Sequence, residues 1–441
     1  MSDKTKILTL AQQSRREFLK YTALGISLPA VLSLLPSPVG GRAYAQSEHK
    51  ISDDWLEISN KYGKPTGAFG KIGDPVVMTI GYQPYGTLHW TASVNKQAQL
   101  LLKYLPKGSR VVWFRALAGA LINNNMLAGK NQFGYTSDTP GLSNGDKIRS
   151  DFVAASGYDL GEFGSICVPT KYLESGVLKD PKDLEGKPVA TAFNSFSHRQ
   201  MLTWMHEFGV KPELINQSID QQMAGLHSGG IHAAALWEPY PSWMEMKGVA
   251  KRWMTGQDMP NTSQQYFPEL EVKHFHDVGA TLAIHDWLRD RPDVMGAYLK
   301  SEEECRDMLT NDPDTAAYFI WSDISEVPPA VIRSTIGMMV WDGRINEDMR
   351  KHLKACARQW KAEKMLQSER SQDPDKYVDE WADDRLLHLV MQQLEAEGRW
   401  TSNQQPGFPK PRVETQRQRH SWEKYKDFQP EPRLWTPTQV S

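Results

Sequence analysis

The chain has 441 residues, with 51 Lys/Arg against 53 Asp/Glu, a formal net charge of −2, 40% hydrophobic and 24% charged residues. This is ordinary globular material, long enough for two domains or two lobes, and its charge balance excludes a protein that holds nucleic acid through a basic surface. The three cysteines, Cys167, Cys305 and Cys356, lie too far apart to form a disulfide framework or a metal cluster; one pair at most can close, and buried free thiols are the equal alternative.

In chain order, residues 1–45 read as a cleaved export signal. Basic Lys4 and Lys6 lead into Ser14-Arg15-Arg16-Glu17-Phe18-Leu19-Lys20, a mildly apolar stretch runs from Tyr21 to Leu35, and Ala43-Tyr44-Ala45 offers a small-residue cleavage site before Gln46. The Ser-Arg-Arg-x-Phe-Leu-Lys string is similar to the twin-arginine (Tat) consensus. The apolar run is shorter than the about 20 residues of a spanning helix, and Pro29 interrupts it. With no lipid-attachment cysteine after it, a soluble periplasmic product delivered by the Tat translocon is expected. Removing this segment takes away six basic and two acidic residues and leaves 45 against 51, a net −6.

Residues 46–75 are polar and Gly-rich and predict an extended N-terminal arm. Val76-Val77-Met78-Thr79-Ile80 is the first strand, Gly81 to Gly86 its loop, and Leu88 to Tyr104 a helical pattern. A second unit starts at Arg110-Val111-Val112-Trp113-Phe114, runs through an Ala- and Leu-rich helix and returns at Gln132-Phe133-Gly134-Tyr135, closed by a loop from Thr136 to Gly141. Phe152 to Ala155 and Ser165 to Val168 are further buried strands, and the alternation with helices predicts parallel α/β pairing. The pattern restarts with Asp183-Leu184-Glu185-Gly186-Lys187, a strand Pro188-Val189-Ala190-Thr191 and a helix from Ser197 to Phe208. Then come a strand Ala233 to Leu236, the loop Trp237 to Tyr240, and a return strand at Ala280 to Ile284. The expected division is lobe 1 at 76–170 and 278–340, lobe 2 at 171–277, a helical extension at 341–400 and an extended tail at 401–441.

Taken in order, Ile80-Gly81-Tyr82-Gln83, Asp183 to Ala190, Ser197-His198, Ala235-Leu236-Trp237-Glu238-Pro239-Tyr240, Pro292-Asp293-Val294 and Asn311-Asp312-Pro313-Asp314-Thr315-Ala316 resemble the NitT/TauT (NMT1/THI5-like) family over roughly residues 76–340. That family serves nitrate, taurine, aliphatic sulfonates and thiamine-pyrimidine precursors. The resemblance implies a periplasmic-binding-protein-like α/β fold, two lobes around a ligand cleft, with an ABC permease and ATPase as partners and a small anionic or zwitterionic solute as ligand. In open α/β sheets ligands sit beyond the carboxyl ends of the strands. The loops Gln83 to Gly86, Ser137 to Pro140, Asn194 to His198 and Trp237 to Tyr240 are therefore expected to line the cleft.

Candidate ligand residues follow from those loops. Asn194, Ser195, Ser197 and His198 sit at a helix start, where hydroxyls and first-turn N–H groups suit an anionic oxygen, with ordinary capping as the alternative. Gln83 and Tyr85 occupy the first strand's loop; Ser137, Asp138 and Thr139 either contact the ligand or cap the next helix. Trp237, Glu238 and Tyr240 combine aromatic walls with a carboxylate, which either binds an amino group such as that of taurine or holds a hinge salt bridge. Trp113 either stacks on an organic group or belongs to the core. His274-Phe275-His276 is a weak metal pattern with no third ligand placed by sequence. No cysteine falls in the four cleft loops and no nucleophile elbow occurs, so no catalytic residue, metal or cofactor is expected. The alternatives are an enzyme on the same fold, pyrimidine-synthase-like or desulfinase-like, and a periplasmic sensor or accessory subunit. Tat export is accounted for by folding before transport.

Overall fold

The computed structural model describes residues 53–159, 161–258, 277–406 and 420–440. The expected signal segment, residues 1–45, and His274-Phe275-His276 lie outside them. In chain order the strands are β1 (Val77–Tyr82), β2 (Arg110–Arg115), β3 (Phe133–Ser137), β4 (Ser150–Tyr158), β5 (Gly164–Pro169), β6 (Pro188–Thr191), β7 (Glu213–Asn216), β8 (Ala233–Trp237), β9 (Ala250–Thr255) and β10 (Val278–Ile284). They form two five-stranded sheets, ordered β2-β1-β3-β10-β4 and β7-β6-β8-β5-β9.

The two sheets repeat one plan. In the first, β1 pairs in parallel with β2, Val77 opposite Arg110, and with β3, Ile80 opposite Phe133. In the second, β6 pairs in parallel with β7 and β8. The fourth strand of each sheet, β10 or β5, is antiparallel to both neighbours, so the sheets are mixed rather than parallel throughout. The exceptions are the strands on which the chain crosses between lobes. Because β5 belongs to the second sheet, the lobes divide at residues 159–163 rather than at 170.

Helices flank both sheets. Four of them, Pro292–Asn311, Pro313–Asp323, Pro329–Met338 and Pro374–Trp381, begin with proline, whose fixed φ and missing N–H suit the first helical position. The helix Arg385–Ala396 buries Leu386, Leu387, Val390, Met391 and Leu394 on one face, each worth about 1.5–3 kcal/mol against exposure. In the N-terminal arm, Asp53–Asn60 is helical rather than extended: Trp55 and Ser59, one turn apart, are buried, and the following Tyr62 hydroxyl donates to Asp383 at 2.8 Å. In the tail, Thr438 N–H donates to Asp307 at 2.8 Å and Trp400 N–H to the Thr438 carbonyl at 2.9 Å. Cys167, Cys305 and Cys356 are all free and buried. No helix among the described residues is long and apolar enough to cross a membrane.

Candidate functional site

The loops at the carboxyl ends of the strands bring the lobes into contact at two places. At the first, the loop after β1 meets the turn after β8. Thr87 N–H donates to the Glu238 carbonyl at 3.0 Å, Trp237 Nε1 donates to the Tyr85 carbonyl at 3.1 Å, and the Tyr85 and Tyr240 rings stack at 5.9 Å. Gln83 is buried and ties its loop to β3 by donating from Nε2 to the Tyr135 carbonyl at 3.1 Å. The Tyr85 hydroxyl accepts from Arg115 Nη2 at 2.5 Å and donates to Glu326, and the same guanidinium lies 4.9 Å above the Tyr85 ring. An aromatic, hydrogen-bonding rim with a partly exposed guanidinium results.

The second contact is ionic and buried. Ser137 ends β3, and Asp138 and Thr139 form the first turn of the helix Asp138–Lys147 rather than a loop. Asp138 Oδ2 accepts from Arg199 Nη2 of the opposite lobe at 2.7 Å and lies 2.9 Å from His352 Nε2. Thr139 Oγ1 donates to Asp138 Oδ1 at 2.8 Å and accepts from Arg199 Nε at 3.0 Å. Although burial works to raise it, Arg199 and His352 hold the Asp138 carboxyl well below the usual carboxylate range. Behind it, on the two interlobe crossings, burial pushes Asp159 up to about 8 and Asp277 far above its ordinary value.

The helix Phe196–Phe208 gives the second lobe its polar corner. Asn194 adopts a left-handed φ of 61°, Ser195 caps the helix by accepting from His198 N–H at 3.3 Å, and Ser197 joins Thr191 at 3.0 Å and Ser195 at 2.9 Å in a chain of hydroxyls. A helix start leaves first-turn N–H groups without intrahelical acceptors and is hospitable to an anion. His198 is neutral: burial lowers its pKa to about 4, Nδ1 accepts from Asn194 N–H at 3.3 Å, and the ring stacks on Phe193 at 4.6 Å. Beside Asn194 opens a groove of about 820 Å³, its wall shared by Asn123, Asn144 and Lys364.

Two candidates stand apart from the cleft surface. Trp113 is half-buried, edge-on to Tyr82 at 5.6 Å, among the residues packed on the first lobe's core. Glu238 is buried, with its carboxylate on Arg252 of β9, which also binds Glu245 and, at 2.6 Å, the Ser242 hydroxyl. Burial raises the Glu238 pKa, and Arg252 offsets part of that. Both partners belong to the same lobe, so this ion pair pins the β8 turn onto β9.

Residues that sequence reasoning missed complete the picture. Arg199 directly follows His198 in the string already singled out, and Arg115 closes β2; either would have been found by asking which cations flank the predicted loops. His352 and Cys356 carry no such signal. They lie one turn apart on the helix Glu347–Ala362, which touches both lobes: Trp360 Nε1 donates to Ser143 at 3.0 Å in the first, and Gln359 Nε2 donates to Thr203 at 2.8 Å in the second. A cysteine therefore does reach the interlobe contact, from outside the strand-end loops.

No family model matches the chain. In sequence it is similar to two proteins of Escherichia coli (strain K12): one named for binding aliphatic sulfonates, 27% identical over 221 residues, and the taurine-binding periplasmic protein, 25% identical over 212 residues. These alignments span 48% and 47% of this chain and 65% and 60% of the relatives, less than two thirds of either. In structure, the alkanesulfonate-binding protein SsuA from Xanthomonas axonopodis pv. citri superposes with a TM-score of 0.56 at 20% identity, covering 67% of this chain and 96% of that one. The periplasmic nitrate-binding protein NrtA from Synechocystis PCC 6803 gives 0.58 at 14%, covering 76% and 92%. The chain is a sequence relative of sulfonate- and taurine-type binding proteins, and its fold is that of the periplasmic binding proteins.

Proposed function

We propose that the chain is the periplasmic solute-binding component of an ABC-type importer, closing its lobes on a small anionic or zwitterionic solute of the sulfonate, taurine or nitrate kind. The observation that carries this reading is the meeting of the two sheets' strand-end loops across one cleft, Tyr85 and Thr87 against Trp237 and Glu238, and Asp138 against Arg199. A closure that depends on solute gives a permease and its ATPase a state to recognise. The relatives named above are binding proteins rather than enzymes, which supports a role in capture. Export by the Tat route, with cleavage after Ala45, is proposed from the twin-arginine string.

Within the cleft, Gln83, Tyr85, Ser137, Ser195, Ser197 and the start of the helix Phe196–Phe208 are the proposed solute contacts, with Trp237 and Tyr240 as walls and Asn194 and His198 at the rim. The carboxylates of Asp138 and Glu238 are each held by a buried arginine, so we assign them to holding lobe geometry, with Thr139 beside Asp138 and Trp113 in the core. Isothermal titration with taurine, alkanesulfonates, nitrate, bicarbonate, thiamine-pyrimidine precursors and small amines tests the reading. Binding of a sulfonate or other anion is the expected result; heat from none of them overturns the solute class. Gln83→Ala or Ser197→Ala with unchanged affinity overturns the site.

A further inference from the structure

The buried Asp138, His352 and Cys356 side chains converge on one point, and the interlobe contact of Asp138 with Arg199 makes no use of the other two. Asp138 Oδ2 and His352 Nε2 are 2.9 Å apart, His352 Nε2 and Cys356 Sγ 3.3 Å, and Cys356 Sγ and Asp138 Oδ2 3.6 Å. Their ligand atoms are a carboxylate oxygen, an imidazole nitrogen and a sulfur, all buried. Zinc bonds of about 2.0–2.3 Å at tetrahedral angles place such atoms about 3.3–3.6 Å from one another, which is nearly the triangle observed. A spacing of one helical turn puts His352 and Cys356 on the same face of their helix.

Two other accounts of the cluster fall short. A cysteine nucleophile with a His–Asp relay needs the acid on one ring nitrogen and the thiol on the other. Here Asp138 and Cys356 both lie nearest Nε2, the thiol at 3.3 Å against 3.9 Å to Nδ1, and the thiol is fully buried. A simple ion pair between Asp138 and Arg199 explains the carboxylate but not the thiol beside it. Nor does it engage the neighbouring Asp277, whose Oδ2 is buried with no hydrogen-bond partner. A cation at this point gives the buried thiol a role as a ligand beside the carboxylate.

We propose that Asp138, His352 and Cys356 bind a zinc-class divalent cation, tying the helix Glu347–Ala362 to the base of the first lobe's cleft helix. Binding forms bonds to Oδ2, Nε2 and Sγ; the Cys356 thiol gives up its proton to solvent, the His352 ring proton that faces Asp138 moves from Nε2 to Nδ1, and Arg199 keeps its hydrogen bond to the second lone pair of Oδ2 as an orienting partner. Three protein ligands leave a fourth position for water.

The test uses the full chain, stripped with a chelator and titrated with Zn2+ and, as a spectroscopic probe, Co2+, in the absence of any solute. The expected result is one equivalent bound, about one proton released, a thiolate-to-Co2+ charge-transfer band and a raised unfolding temperature. Cys356→Ser and His352→Gln are expected to lose the band and at least tenfold in affinity, while Cys305→Ser, a buried thiol elsewhere, keeps both. The titration of the unmodified chain decides the matter even if a variant misfolds: no stoichiometric uptake overturns the proposal, as does a band that survives Cys356→Ser. Neither outcome bears on solute binding, which is measured separately.

Discussion

Replacing Glu238 separates a structural carboxylate from a ligand-binding one. It is buried on Arg252, whose guanidinium side chain is 2% exposed and also holds Glu245 and Ser242. Glu238→Ala removes one partner and leaves that guanidinium buried beside a void, a change that costs about 3–5 kcal/mol when no other partner remains. Glu245 and Ser242 do remain, so about 3 kcal/mol is expected. Glu238→Gln keeps the shape and a hydrogen bond but not the charge, and about 1.5–2 kcal/mol is expected from the lost charge assistance. Urea unfolding followed by far-UV circular dichroism gives the stability change, and calorimetric titration of the variants that remain folded gives solute affinity. The expected pattern is a graded loss of stability with affinity changed less than about threefold, under 0.7 kcal/mol. An unchanged unfolding midpoint with affinity reduced tenfold or more would show that the carboxylate serves the solute, and the structural account would be wrong.

Further outcomes follow from other contacts. At Gly164 an added Cβ runs into the Phe196 ring and the Gln200 amide, so Gly164→Val is expected to cost about 1–3 kcal/mol by overpacking; an unchanged melting temperature refutes it. Burial lowers the pKa of His89 from 6.5 to about 3. The unfolded chain thus takes up its proton first, stability is complete above about 6.5 and is lost as pH falls through that window, by about 2 kcal/mol at pH 5. His89→Gln is expected to flatten the pH dependence of the urea midpoint between pH 7 and 5, and an equal drop in both proteins counts against the assignment. Trp360, buried between Ser143 and His198, anchors the helix that spans the lobes. Trp360→Ala is expected to cost about 3–5 kcal/mol and to enlarge the solute-free radius of gyration in X-ray scattering; unchanged scattering refutes an interlobe brace.

What the sequence determined by itself is local. Periodicity within a dozen residues marked the strands at Val76 and Pro188, and the helix start at Asn194 to His198 offered Ser195 either as a cap or as a ligand contact, because each signal depends on neighbours a few positions away. The order of such units resembled one family and implied the two-lobed fold, and it pointed to the strand-end loops as the cleft. Tertiary structure decided which side chains in those loops are spoken for. Asp138 meets Arg199 61 positions later and His352 214 positions later, and Tyr85 meets Trp237 across 152; no local pattern encodes such pairs, since they exist only once separately formed elements dock. The same holds for the antiparallel setting of β5 and β10, whose partners are strands distant in the chain, β8 at Ala233–Trp237 for β5 and β3 at Phe133–Ser137 for β10. It holds too for Cys356, which reads as an isolated thiol until a helix from the C-terminal extension carries it to the floor of the cleft beside Asp138 and His352.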